Sequence, residues 1–149
     1  MEIYKELVGE IVPTYKPKTV NKIKIGCSKD AYDFALKFWG DDIEYRETVF
    51  IIPLNRANNT LGWIKISEGG TAGTVIDTKI IFQILLNCNA SAFILCHNHP
   101  SGNKLPSEQD TTMTKKVHEG GKLLDINMLD HMVVTANEYF SYADEGILY

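Results

Sequence analysis

The sequence predicts an α/β (α+β) fold, a sandwich built around one sheet, and three observations carry the prediction. Two apolar runs of strand character, residues 47–54 (ETVFIIPL) and 61–67 (LGWIKIS), flank the turn-rich NRANNT and read as a hairpin. From Asp77 onward, segments of helical and strand character alternate, as they do when helices cover the faces of a sheet. A chain of 149 residues, 44% hydrophobic and 23% charged, is long enough for one domain with a real core and too short for two.

Taken in order, residues 1–19 carry Pro13 and Pro17 among lysines and read as an N-terminal arm, with the domain occupying residues 20–149. Residues 20–26 alternate apolar Val20, Ile23 and Ile25 with basic neighbours, the pattern of an edge strand. Ser28 is placed to cap a helix whose Ala31, Phe34, Ala35 and Phe38 form one apolar stripe, ended by Gly40. Gly69, Gly70 and Gly73 fit neither the Walker nor the dinucleotide spacing and are read as a plain connector. Asp77 is the expected N-cap of a helix through Ile80, Ile81, Ile84 and Leu85. A buried strand follows over 92–97, then a polar helix over 107–119 stopped by Gly120 and Gly121, and strands over 126–135 and 139–142.

The chemistry gathers in residues 92–110, AFILCHNHPSGNKLPSEQD. A strand over 92–97 aims His97 and His99 to one side and Asn98 to the other. Two neutral imidazoles and the carboxylate of Asp110, brought round by a loop containing Pro100, Gly102 and Pro106, make a three-ligand set that leaves a fourth zinc position for water. Ser107 and Asp110 also form the S-x-x-D capping box of the next helix, so the cap is expected to hold the ligand rigidly. Asn98 and Ser101 are read as exposed loop hydrogen-bonders, His118 as a solvated position on a polar helix, and His131 as a core residue supporting the site. A hydrolytic metal site needs a proton shuttle, and Glu47, heading a hydrophobic strand, is the best candidate. On pattern alone, a solvated strand-end glutamate beside Glu44 and Arg46 is the better reading of that residue.

Glu47, His97, His99, Ser107 and Asp110 together fill the pattern E(x)n-H-x-H-x7-S-x2-D, which resembles that of the JAMM (MPN+) metalloprotease family. More narrowly, HNHPSG at 97–102, PS-x-x-D, LDH at 129–131 and the ending YFSYADEGIL look like the RadC-type JAB domain of bacteria, over residues 47–149. The resemblance implies the JAB/MPN (cytidine deaminase-like) three-layer α/β/α sandwich around a mixed sheet. It implies Zn2+ on His97, His99 and Asp110, Glu47 as general acid/base, and Ser107 as the donor that stabilises an oxyanion. It also implies cleavage of peptide or isopeptide bonds, with a peptide or protein as the substrate partner and a homo-oligomer as an admissible state.

Other function classes are weighed against this. The net charge of -4 gives no footprint for nucleic acid, and full-length RadC proteins carry an N-terminal helix-hairpin-helix region that is not found ahead of residue 47, so a DNA-associated role is disfavoured. A nuclease reading of the literal H-N-H at 97–99 suffers because those letters are normally scattered over a ββα unit. A non-catalytic binding module on the same fold is opposed by the presence of all five motif residues. The apolar runs are too short to span a membrane, no export signal is expected, and Cys27, Cys88 and Cys96 form no C-x-x-C pair, so the expected compartment is a reducing cytoplasm.

Overall fold

The computed structural model describes residue 12 and residues 14–17, 22–69 and 75–148. Among these, five strands form one sheet: β1 (Thr48–Leu54), β2 (Ile64–Glu68), β3 (Ala92–Asn98), β4 (Asn127–Val134) and β5 (Tyr139–Ser141). Their order is β2-β1-β3-β4-β5, with β3 central. The β3/β4 pair is parallel and the other pairs are antiparallel, so the sheet is mixed. Helix α1 (Ser28–Trp39) covers one face, and α2 (Thr78–Asn87) and α3 (Glu108–Leu123) cover the other. This is the α/β/α sandwich expected from the sequence.

Burial on both faces explains why β1 and β3 are apolar at nearly every position instead of alternating. Phe50, Ile52, Ile94 and Cys96 join Ala31, Phe34 and Ala35 of α1. Val49, Ile51, Phe93 and Leu95 meet Ile81 and Leu85 of α2 and Val117 of α3. His97 follows Leu95 in the same two-residue phase, so its ring emerges on the face shared with α3.

One irregularity in β4 matters for the site. Met128 pairs with Phe93 but Asp130 pairs with Ile94, leaving Leu129 as an extra residue. Such a bulge reverses the side-chain phase of everything beyond it. Met128 packs on the α2–α3 side and Leu129 on the α1 side, and His131 then returns to the α3 side, against His97.

Four sequence expectations change. The edge strand over 20–26 is reduced among the described residues to one bridge, Lys24 with Asn59, and Ile25 is buried in the α1-side core. Ser28 is not the cap of α1: Cys27 holds that position without a side-chain bond. The Ser28 hydroxyl instead donates to Asp144 at 2.5 Å and lies 3.1 Å from the Tyr139 hydroxyl. Strand β2 begins at Ile64 instead of residue 61. Gly120 and Gly121 do not stop α3, which runs on to Leu123. They are there for close approach: a Cβ on Gly120 would meet the Phe82 ring at 2.6 Å, and one on Gly121 the Ile126 carbonyl oxygen at 2.4 Å. The N-cap of α2 is as read, with Asp77 accepting the Lys79 N–H at 2.9 Å. Most of the arm and most of the glycine connector lie outside the described residues; within the part of the arm that is described, the Tyr15 hydroxyl donates to the Leu61 carbonyl.

Alanine is the better helix former by roughly 1 kcal/mol, so propensity alone predicts that Gly121→Ala stabilises the protein. The contact with a backbone carbonyl reverses the sign, and we expect a loss of about 1–3 kcal/mol in chemical denaturation. A gain in stability would remove the close-approach explanation.

Candidate metal centre

The site forms where the C-terminal end of β3 meets the N-terminus of α3. Helix α3 opens with a complete capping box: Ser107 Oγ accepts the Asp110 N–H at 3.1 Å, and Asp110 Oδ2 accepts the Ser107 N–H at 2.7 Å. The Ser107 hydroxyl also donates to Asp110 Oδ2 at 2.8 Å. With its orphan N–H groups satisfied in this way, the helix start holds the carboxylate still. Asp110 then faces both imidazoles, with Oδ1 at 3.2 Å from His97 Nε2 and Oδ2 at 3.5 Å from His99 Nε2. The two Nε2 atoms are 3.0 Å apart.

His97, His99 and Asp110 are a group that could hold a metal ion, with donor atoms all within 4.8 Å of one another. Each imidazole is anchored by its other nitrogen: His99 Nδ1 lies 2.7 Å from the Asn103 carbonyl, to which it must donate, and His97 Nδ1 lies 2.7 Å from His131 Nε2. With Nδ1 committed to the Asn103 carbonyl, a neutral His99 turns the lone pair of Nε2 toward His97 Nε2 and Asp110, where a cation would be shared by all three. Two ligands of a tetrahedral ion bonded at about 2.0–2.1 Å sit roughly 3.3 Å apart, close to the three edges seen here. The donor set therefore fits a divalent metal of the nitrogen- and oxygen-ligating kind.

Charge supports the same fit. Burial alone would push the Asp110 carboxyl up, yet the neighbouring His97 and His99 imidazoles, with the Ser107 N–H, hold it far below the usual carboxylate range. The Asp110 hydrogen bond raises His99 above its ordinary value, partly opposed by burial and reinforced by the Asn103 carbonyl and the charge of Glu47.

Glu47 immediately precedes β1, is half-buried, and lines an open cleft of about 760 Å³ together with His97, His99, Ser107 and Asp110. The structure thus brings all five motif residues to one cavity. Val49, Ile76 and Met113 supply its apolar wall and Lys116 a cation at its rim.

Two readings are corrected. Asn98 is fully buried and points away from the cleft, as strand alternation requires: its Oδ1 accepts the Thr48 N–H at 2.7 Å, and its amide donates to the carbonyls of Ile43 and Arg46. It ties the entry of β1 to the end of β3 and is out of reach of a substrate. His118 is half-buried, not solvated, with Nδ1 enclosed and unpartnered among the described residues, and burial lowers its pKa. What sequence reading missed is Thr114, fully buried four residues after Asp110, whose hydroxyl touches both Asp110 and His131. The i, i+4 spacing from a candidate ligand was the available signal.

Removing two of the three donors in His97→Ala with Asp110→Ala should abolish metal retention in protein purified without chelator; equal metal content in variant and wild type would refute the ligand set. Because His99 must give up its proton to a metal, apparent metal affinity should fall by about tenfold per pH unit once pH drops below the raised His99 value. Titrations at several pH values check this slope.

Comparison with known proteins supplies the family. The model for the RadC-like JAB domain matches residues 25–147. A UPF0758 protein of Flavobacterium johnsoniae is 40% identical over 124 residues, covering 83% of this chain and 53% of its own length. One from Coprothermobacter proteolyticus is 32% identical over 133 residues, 88% of this chain and 57% of the relative, and one from Thermotoga maritima 34% over 103 residues, 69% and 46%. The chain spans about half the length of these curated relatives, so the lack of a helix-hairpin-helix region ahead of residue 47 carries no weight against a DNA-linked role for the whole protein. A match over residues 25–147, and relatives up to 40% identical, mean that the chain belongs to the RadC-like JAB domain family.

Proposed function

We propose that the chain is a zinc-dependent hydrolase of the JAMM type, a metallopeptidase or isopeptidase acting in the cytoplasm on a peptide or protein substrate. The observation that carries this reading is the convergence of His97 Nε2, His99 Nε2 and the Asp110 carboxylate in an open cleft that also contains Glu47 and Ser107. Zinc held by those three residues supplies Lewis acidity, polarising a carbonyl and lowering the pKa of water to about 7.

The chain's own residues do the rest. Asp110 and the two imidazoles fix the position at which the carbonyl is polarised, and the open cleft of about 760 Å³ beside them is where the substrate chain would lie. Glu47 takes a proton from the attacking water and returns it to the leaving amine. The Ser107 hydroxyl, at the helix N-terminus, turns from Asp110 Oδ2 toward the oxyanion that develops on the substrate. Val49 and Met113 keep one wall of the cleft apolar, which strengthens the electrostatic interactions inside it.

Zinc-loaded protein should hydrolyse members of a quenched peptide and isopeptide library. Glu47→Gln should lose about 10²–10⁴-fold in rate while keeping its zinc. A wild type that binds no zinc, or a Glu47→Gln variant as active as wild type, overturns the proposal; metal-dependent plasmid cleavage that disappears in Glu47→Gln would replace it with a nuclease. For Ser107→Ala, two losses are expected and must be measured separately: about 1 kcal/mol of stability from the cap, and about 10²–10³-fold in rate from the oxyanion.

A further inference from the structure

Behind His97 runs a line of buried hydrogen bonds that ends on the backbone of α3. Thr114 Oγ1 lies 2.6 Å from the Asp110 carbonyl oxygen and 2.5 Å from His131 Nδ1. Two oxygens at that separation need a proton between them, and a carbonyl has none, so the threonine's single proton goes to Asp110. What remains toward His131 is a lone pair, which obliges His131 Nδ1 to carry hydrogen. A neutral His131 then presents an unprotonated Nε2 to His97 Nδ1 at 2.7 Å. His97 must donate there, so a neutral His97 carries its lone pair on Nε2, the atom that faces the place where a metal would sit.

We propose that Thr114 and His131 are positioning residues that impose on His97 the tautomer able to bind metal, by passing the orientation of one hydroxyl through one imidazole to the next. The inference rests on His97 being a metal ligand, as in the function proposed above. His131 is built for the task. It is fully buried, and the partners of its two ring nitrogens among the described residues are His97 and Thr114, not a carboxylate. Its ring is stacked on Tyr142 at 4.9 Å and 7°, and the Tyr142 hydroxyl is 3.1 Å from that of Thr111, one turn before Thr114. The ring is thus enclosed by Tyr142, His97 and Thr114, with none of its surface open to solvent. The β4 bulge is what brings it to this face at all. Ligating histidines commonly give their second nitrogen to a carboxylate or carbonyl; here a second histidine serves, and because it could adopt either tautomer it must itself be set by Thr114.

The test combines a spectrum and a titration. Ring ¹H–¹⁵N correlation of the metal-free protein should show both His97 and His131 protonated at Nδ1. Thr114→Val keeps the side-chain shape but gives His131 nothing to donate to; it should yield mixed His131 and His97 tautomers and bind zinc about 10–100-fold more weakly. Thr114→Ser restores the hydroxyl and should recover both properties, which a merely structural role for the threonine methyl would not allow. A wild-type His97 protonated at Nε2, or a folded Thr114→Val that binds zinc as tightly as wild type, overturns the proposal. Should Thr114→Val not fold, His131→Gln, which can still accept from His97, takes its place in the titration and should bind zinc more tightly than His131→Leu. If the wild type takes up no zinc, the hydrolase reading fails while the ring spectrum still decides the relay.

Discussion

The carboxylate of Asp110 is the interaction on which the rest of the site depends. Its Oδ2 closes the capping box of α3 with Ser107, and both its oxygens face the imidazoles delivered by β3. A carboxylate at a helix N-terminus is favoured by the unsatisfied N–H groups and by the helix dipole, so local chemistry fixes it before any ligand is considered. The site therefore stands at a junction of two rigid elements instead of on a flexible loop. Only His99 belongs to the loop, and that ring is pinned by the Asn103 carbonyl.

The sheet contributes phase and cover. Antiparallel pairing sets Val49 opposite His97 and carries Glu47, two residues earlier, to the mouth of the same cleft. Parallel pairing to β4 brings His131 behind His97, and α1, on the far side of the sheet, seals the other face without touching the chemistry. Asn98 secures the seam: with three hydrogen bonds it joins the end of β3 to the start of β1, so the residues that follow Asn98 and precede Thr48 cannot drift apart.

Much of this was legible in the sequence because it is local. Apolar runs bounded by turns marked β1 and β3, the S-x-x-D signature marked the start of α3, and the H-x-H alternation put both imidazoles on one side. The features that escaped are those in which a residue's meaning depends on a distant partner. Gly120 and Gly121 look like a helix stop until Phe82 and Ile126 are seen to leave no room for a side chain. Asn98 looks like a loop residue until the strand is found to extend one position further and bury it. Thr114 has no signature beyond its spacing from Asp110, since a threonine facing two partners reads like any other threonine on a helix.

The bulge at Leu129 has a consequence for how this chain can vary. A strand ordinarily absorbs substitutions one residue at a time but not changes in length, because one inserted or deleted residue turns every later side chain over. Here the extra residue is already spent, and it separates the start of β4, whose Met128 serves only the core, from its end, whose His131 serves the site. The two halves of one strand thus answer to different demands: composition can drift on both sides of Leu129, but the count of residues between Met128 and His131 is as much a part of the site as the histidine itself.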